Sequence, residues 1–261
     1  MLVEASWELG DRALYLRSPN LRGDDVAELQ RHLGRLGFDP GRVDGIFGPG
    51  TASALAEFQR NVELTADGVC GLESVRTLRR LGGRSSDGPA VTVVREYERL
   101  SHCERTLLAR RVVVGDLGGT ASLSRTVARV LRVAGSTVLT IDGPDGAHQA
   151  HAANSFGADI YLGLATATGS TIAFYATTGF ESLGGHRMAD LLHEELAPVL
   201  GGTLERPAGM RLPVLRETKM PAVLIELAAS RAVTDQSPAV AGAIGRALAL
   251  WVAAPVTLDR Q

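Results

Sequence analysis

From residue 111 onward, apolar runs of strand length alternate with stretches of helical period. That alternation restricts the fold more than any other feature of the chain. Strands are expected at residues 111–114, 136–142, 158–167, 171–177 and 222–228. Helices are expected at 122–134, 146–156, 182–200 and 239–252. In the first of these helices Val127, Val130 and Leu131 are apolar, and in the third Ala189, Leu192, Leu196 and Val199 fall on one stripe. Strand–helix alternation with nearly continuous apolar strands predicts a largely parallel sheet covered by helices.

The first strand runs into "VVVGDLGGT" (residues 112–120), a glycine-rich turn of the kind that holds a phosphate or a metal. A dinucleotide-binding reading has strand, glycine loop, helix and strand in order, and Asp142 at the end of the second strand. The spacing opposes it. G-x-G-x-x-G counted from Gly115 requires glycine where Leu117 and Thr120 stand, and no Walker lysine follows. A leucine at the middle position holds a pyrophosphate away from the amides.

Residues 21–81 follow another rhythm. "VDGIFG" (43–48) returns as "ADGVCG" (66–71), and each precedes a helical pattern. An earlier helix places Val26, Leu29, Leu33 and Leu36 on one stripe, with Asp24 as its expected N-cap. A three-helix unit is expected. Residues 1–20 form an extension that is either the tail of a similar unit or a capping strand. Residues 82–110 read as a linker: "GGRSSDGPA", then a charged and helical bridge whose Glu96, Glu98, Arg99, Glu104 and Arg105 make a solvated face, with His102 among them.

The segment "RGDDVAELQRHLGRLGFDPGRVDGIFGPGTASALAEFQRNVELTADGVCGLESVRTL" resembles the peptidoglycan-binding domain of bacterial cell-wall enzymes. The resemblance implies a shallow groove for cell-wall glycopeptide. Read as residues, Leu29, Phe38, Phe47, Leu55 and Phe58 are core, and Asp44 and Gly45 make a turn.

Further on, "VLRETKMPAVLIELAAS" (214–230), "AANSFGADIYLGLATA" (152–167) and "VVVGDLGG" resemble the zinc-dependent N-acetylmuramoyl-L-alanine amidases. The layout is closest to the actinobacterial branch in which the binding module comes first. The expected architecture is a small three-helix peptidoglycan-binding domain (21–81) plus an α/β amidase-like domain (111–255).

The resemblance also implies a ligand set: a loop histidine after the first strand, a glutamate in the next helix and a histidine near the end of the third strand, with a separate glutamate handling protons. Here Leu117 stands at the loop position and Ala165 at the strand position. Between Leu117 and Ile141 there is no Asp, Glu or His. Glu226 alone matches, at the proton-handling position, and its bland reading is a carboxylate paired with Arg216 or Lys219. His148 and His151 share a helix that packs away from the metal in the family. His186 and His193 are seven residues apart, about 10 Å along a helix and too far to share one ion. No G-x-S-x-G elbow is present.

The expectation is a catalytically degenerate, amidase-like protein with no cofactor. It binds a peptidoglycan fragment or precursor and acts in cell-wall metabolism, with a cell-wall synthesis protein as a candidate partner. The alternatives are an active amidase with an atypical metal site and a dinucleotide-binding protein. A formal net charge of −2 and 5% aromatic residues give no support to a nucleic-acid partner. No apolar run reaches the ~20 residues of a membrane span. The opening residues lack a signal-like pattern, and Cys70 and Cys103 make no disulfide framework, so a cytoplasmic setting is expected.

Overall fold

The computed structural model describes residues 7–82, 91–101, 103, 105–177, 180–201, 203–228 and 236–256. The Gly/Ser/Pro-rich part of the linker, His102 and Glu104 lie outside the described residues. The chain forms two compact units, Met1–Arg95 and Glu96–Gln261.

In the first unit, helices α1 (Asp24–Arg35), α2 (Pro49–Asn61) and α3 (Leu72–Gly82) close on a core that includes Leu29, Leu33, Phe47, Leu55, Phe58 and Leu78. Phe38 packs at its margin, edge-on to Phe58. The N-cap of α1 is Gly23, without a side-chain bond, so Asp24 is the first helical residue rather than the cap. Asp25 is the structural carboxylate instead: it is buried and receives Arg12 Nε at 2.7 Å and Nη2 at 3.1 Å.

The segment before α1 packs onto the three helices through isolated β-bridges rather than as a strand. Leu14 and Cys70 exchange backbone hydrogen bonds of 3.2 and 2.7 Å, and Leu9, Leu14 and Leu21 enter the core.

The sequence echo is a repeated polar clamp. Gln30 Nε2 donates to Asp44 Oδ1 (2.8 Å), the Ile46 carbonyl (3.1 Å) and Thr51 Oγ1 (3.1 Å), while its Oε1 accepts the Gly45 amide (2.9 Å). Gln59 repeats the pattern with Asp67 (2.9 Å), the Val69 carbonyl (3.0 Å), Ser74 (3.2 Å) and the Gly68 amide (2.9 Å). Gly45 and Gly68 adopt φ of 72° and 68°, which explains the Asp-Gly pair in each turn. Both glutamines are buried with their amides satisfied, as burial requires.

The two clamps differ in exposure, and this separates their carboxylates. Burial raises the pKa of half-buried Asp44 against the opposing hydrogen bonds from Gln30 and Ile46. At exposed Asp67 the Val69 amide and the Gln59 side chain lower it. By linkage, the contribution of Asp44 to stability is full below the unfolded carboxylate pKa and is lost as pH rises through its folded value. That of Asp67 is present above the unfolded pKa and is lost as pH falls through its folded value. Carboxyl carbon shifts followed by NMR across the acid range are expected to place the two midpoints on opposite sides of that of an unstructured aspartate. Coincident midpoints would show that burial does not separate the two turns.

The second unit opens with the end of α4 (Val91–Ser101) and continues as β1 (Arg111–Gly118), α5 (Ala121–Val133), β2 (Thr137–Asp142), α6 (Gly146–Phe156), β3 (Ile160–Ala167), β4 (Thr171–Thr177), β5 (Phe180–Glu181), α7 (Leu183–Leu196), β6 (Ala208–Met210), α8 (Pro213–Glu217), β7 (Ala222–Ala228) and α9 (Ser237–Ala253). The sheet order is β2-β1-β3-β7-β4-β5, with β6 on β4. Strands β2, β1, β3 and β7 are parallel; β4 runs antiparallel to β7 and β5 and parallel to β6.

Alternate strand residues face opposite ways. Val112, Val114, Ile160, Leu162, Val223 and Ile225 join the main core with residues of α5, α7 and α9. Tyr161 faces α6 on the other side, through its bond to Gln149. Glu96, expected in a solvated face, instead accepts Ser182 Oγ (2.8 Å) and the Gly184 amide (3.3 Å) at the N-terminus of α7. Among the described residues no helix is long and apolar enough to cross a membrane.

Candidate functional site

The chain leaves β1 through α5 to reach β2 on one side, and β3 lies on the other side. Strand order therefore reverses between β1 and β3. In open α/β sheets such a reversal opens a crevice beyond the carboxyl ends of the strands. The residues singled out in the sequence meet there. Gly118 pairs with Ala165, Ala165 pairs with Glu226, and Glu226 pairs with Thr171 on β4. Leu117 occupies an irregularity in the β1–β3 register between Asp116 and Gly118. A Cβ placed on Gly163 would lie 3.1 Å from Leu117 Cδ1, so the leucine lies over β3 on the face that carries Tyr161 and Ala165.

The glycine loop holds itself. Asp116 Oδ1 accepts the Gly118 amide (2.9 Å), the Thr120 amide (3.2 Å) and the Thr120 hydroxyl (2.6 Å). Two amides that a phosphate would need are thus already bound to a carboxylate, which itself repels an anion. This arrangement gives no support to the dinucleotide reading.

Beneath the loop, Gln149 of α6 is fully buried. Its Nε2 donates to the Asp116 carbonyl (2.9 Å) and the Gly143 carbonyl (2.6 Å), and its Oε1 accepts the Tyr161 hydroxyl (2.6 Å). Burial pushes the Tyr161 phenol well above its usual range, which makes it a structural donor rather than an acid.

Asp116, Gln149 and Tyr161 were not singled out in the sequence. The available signals were an aspartate four residues before a threonine across two glycines, and one glutamine among the alanines of "HQAHAAN".

Glu226 is half-buried, and among the described residues its carboxylate has no hydrogen-bond donor and no cation. The pairing expected with Arg216 or Lys219 is not formed. Arg216 Nη2 donates to Glu217 at 3.0 Å, and the Lys219 side chain is exposed. Adjacency in the chain brings Arg216 to Glu217, whereas Glu226 lies at the far end of β7.

The histidines do not gather at the crevice. His148 and His151 are exposed on α6. His186 stacks on Phe174 at 4.4 Å between Glu181 and Asp190, and His193 is half-buried on α7.

The donor chemistry of the crevice does not fit a catalytic zinc. Such a site takes about three His, Cys or carboxylate ligands, and the strand neighbours of Glu226 are Ala165 and Thr171, neither of which is one. Among the described residues no group of three or more His, Cys, Asp or Glu is placed to hold a metal ion.

Residues 22–78 match the model of the putative peptidoglycan binding domain. The chain is 32% identical over 259 residues to the N-acetylmuramoyl-L-alanine amidase CwlM of Mycobacterium tuberculosis, an alignment covering 87% of this chain and 64% of that protein. The likeness touches both parts of the chain: residues 22–78 match a peptidoglycan-binding domain, and the chain as a whole is similar to an amidase. It spans just under two thirds of the length of the mycobacterial relative.

The peptidoglycan-binding domain is also 46% identical over 56 residues to the spore cortex-lytic enzyme of Bacillus cereus, covering 22% of each chain. A solved structure, the amidase AmiC2 of Nostoc punctiforme, aligns with a TM-score of 0.45 at 17% identity, covering 56% of this chain and 98% of that one. The expected ligand positions in this chain hold Leu117 and Ala165.

Proposed function

We propose that the amidase-like domain is catalytically degenerate. In this reading the protein binds a peptidoglycan fragment or precursor and regulates or scaffolds cell-wall metabolism, with a cell-wall synthesis protein as a further partner. One observation carries the reading: the β3–β7 register pairs Ala165 with Glu226, and Leu117 lies over Gly163 on the same face. Neither alkyl side chain has a lone pair to donate. Without a Lewis acid, an amide carbonyl is not polarised and no bound water has its pKa lowered toward ~7. A lone general base contributes about 10²–10⁴-fold, against the ~10⁶-fold or more that enzymes reach.

The reading includes a cytoplasmic setting. Burial pushes the Cys70 thiol up to about 12, which keeps it unreactive. The competing reading, a working amidase with a different metal site, draws on the name of the mycobacterial relative.

Metal analysis of the zinc-supplemented, desalted protein, run beside an assay for peptide release from muramyl-peptide, separates the two. The expected result is far less than one zinc per chain and no release, with muramyl-peptide still bound in calorimetry. Near-stoichiometric zinc with turnover would overturn the proposal.

A further inference from the structure

In the described part of the second unit, every large apolar side chain that reaches solvent lies at one corner. Leu108 is 63% exposed, Val133 86% and Leu250 49%. Leu108 precedes β1, Val133 ends α5 and Leu250 lies in the last turn of α9. Direct contacts join these three places. A Cβ on Gly135, two residues after Val133, would lie 2.6 Å from Leu108 Cδ1. Ser136 Oγ donates to the Leu107 carbonyl (2.9 Å), and Arg105 Nη1 donates to the Ala253 carbonyl (2.8 Å) at the end of α9.

The same side is basic. α5 presents Arg125, Arg129 and Arg132, all exposed, at the i, i+4, i+7 spacing of one helical stripe. Val133 follows Arg129 by four residues and so stands beside it. α9 packs against α5 where Gly245 meets Val130, and its one ionisable side chain, Arg246, pairs with Glu195 of α7 (2.7 Å). Neither α5 nor α9 contains an aspartate or glutamate, and neither do residues 105–110. The whole chain has 27 basic and 29 acidic residues, so this face is basic by segregation and not by a general excess.

Apolar side chains that stand out between guanidinium groups select a kind of partner. Protein partners are held through desolvated pockets in a closely packed interface. A valine left 86% exposed at a helix end is a protrusion, not the wall of a pocket. A lipid surface accepts separate protrusions at its acyl boundary, while its phosphates meet the arginines. We infer that the corner formed by Leu108, Val133 and Leu250, together with the α5 arginines, docks on an anionic lipid surface. Leu108 and Gly135 lie at the amino ends of β1 and β2, so the crevice at the carboxyl ends stays open to solvent when the corner is seated. The docking is independent of what the crevice holds. It is reversible, because a few arginines and three apolar tips supply far less than a membrane-spanning helix.

The test sediments the full chain with vesicles of phosphatidylglycerol or of phosphatidylcholine, at low and high salt. Two variants accompany the parent: Arg125→Gln with Arg129→Gln, and Val133→Ser. All three positions are exposed, and unchanged melting temperatures are expected. The parent is expected to bind phosphatidylglycerol about tenfold or more tightly than phosphatidylcholine, and to weaken as salt rises. Each arginine near an anionic surface strengthens binding about fivefold, so the double variant should lose roughly 25-fold. Val133→Ser should lose several-fold by withdrawing the most exposed apolar tip.

Failure of the parent to sediment with phosphatidylglycerol, or equal binding to both lipids, would overturn the inference. Binding that persists undiminished in the arginine variant would reject this face as its seat, and insensitivity to Val133→Ser would reject apolar insertion at the corner. A poly-glutamate peptide that binds the parent more tightly than the vesicles do would overturn it in favour of an acidic protein segment.

Discussion

Removing residues 1–21 from the full chain is expected to abolish folding of the peptidoglycan-binding domain, although the family match begins only at residue 22. The deletion takes Leu9, Leu14 and Leu21 out of the core, where they are 1%, 1% and 8% exposed. Burying a leucine stabilises by roughly 1.5–3 kcal/mol. The deletion also removes Arg12 from the buried Asp25 carboxylate, and breaking a buried pair costs about 3–5 kcal/mol. The Arg79 bond to the Leu9 carbonyl (2.6 Å) and the β-bridge to Cys70 go as well. Set against the ~3–5 kcal/mol that a core in a domain this small supplies, the loss exceeds the reserve. Calorimetry of the truncated chain should lose one transition and keep that of the amidase-like domain. Two retained transitions would show that residues 22–78 suffice.

Gly115→Ala should produce the largest single-residue effect in the amidase-like domain. A Cβ at this position falls well inside contact distance of Gln149 Oε1 and the Tyr161 hydroxyl. Both side chains are fully buried and have no room to retreat. Relief requires breaking the Tyr161–Gln149 bond or lifting Gln149 off the Asp116 and Gly143 carbonyls. Overpacking costs about 1–3 kcal/mol, and each stranded polar group adds roughly 1–3 kcal/mol. A loss of about 4 kcal/mol or more in urea unfolding is expected from the two together. Gln149→Ala combined with Gly115→Ala should cost less than the sum of the two single changes, because the clash with the amide disappears and only that with the Tyr161 hydroxyl remains. Strict additivity would mean that the glycine is required for another reason.

Much of this architecture can be read from periodicity. The bounds expected for α6, β4 and β7 coincide with those observed, because glycine or proline punctuation marks both ends of α6 and β4 and the start of β7. What escaped reading depends on partners remote in sequence. β6, "AGM", has no pattern of its own and exists because β4 offers it an edge. β5 is two residues long and α8 five. β1 runs on to Gly118 through residues that read as loop, because an irregular register absorbs Leu117.

The crevice was legible in its outline. Leu117, Ala165 and Glu226 stand out in the sequence; the sheet pairs Ala165 with Glu226 and lays Leu117 over nearby Gly163. The wiring beneath was not legible, because a buried glutamine in a helix looks like any surface glutamine until its neighbours are known. Glu96 shows the same limit: a glutamate in a charged run reads as solvated, yet it closes the start of a helix more than eighty residues away in sequence.

The loop that binds its own amides shapes what the crevice can admit. A phosphorylated or carboxylated group meets a negative wall whose donors are already committed. An anion placed at this loop would first have to displace Asp116 from three hydrogen bonds.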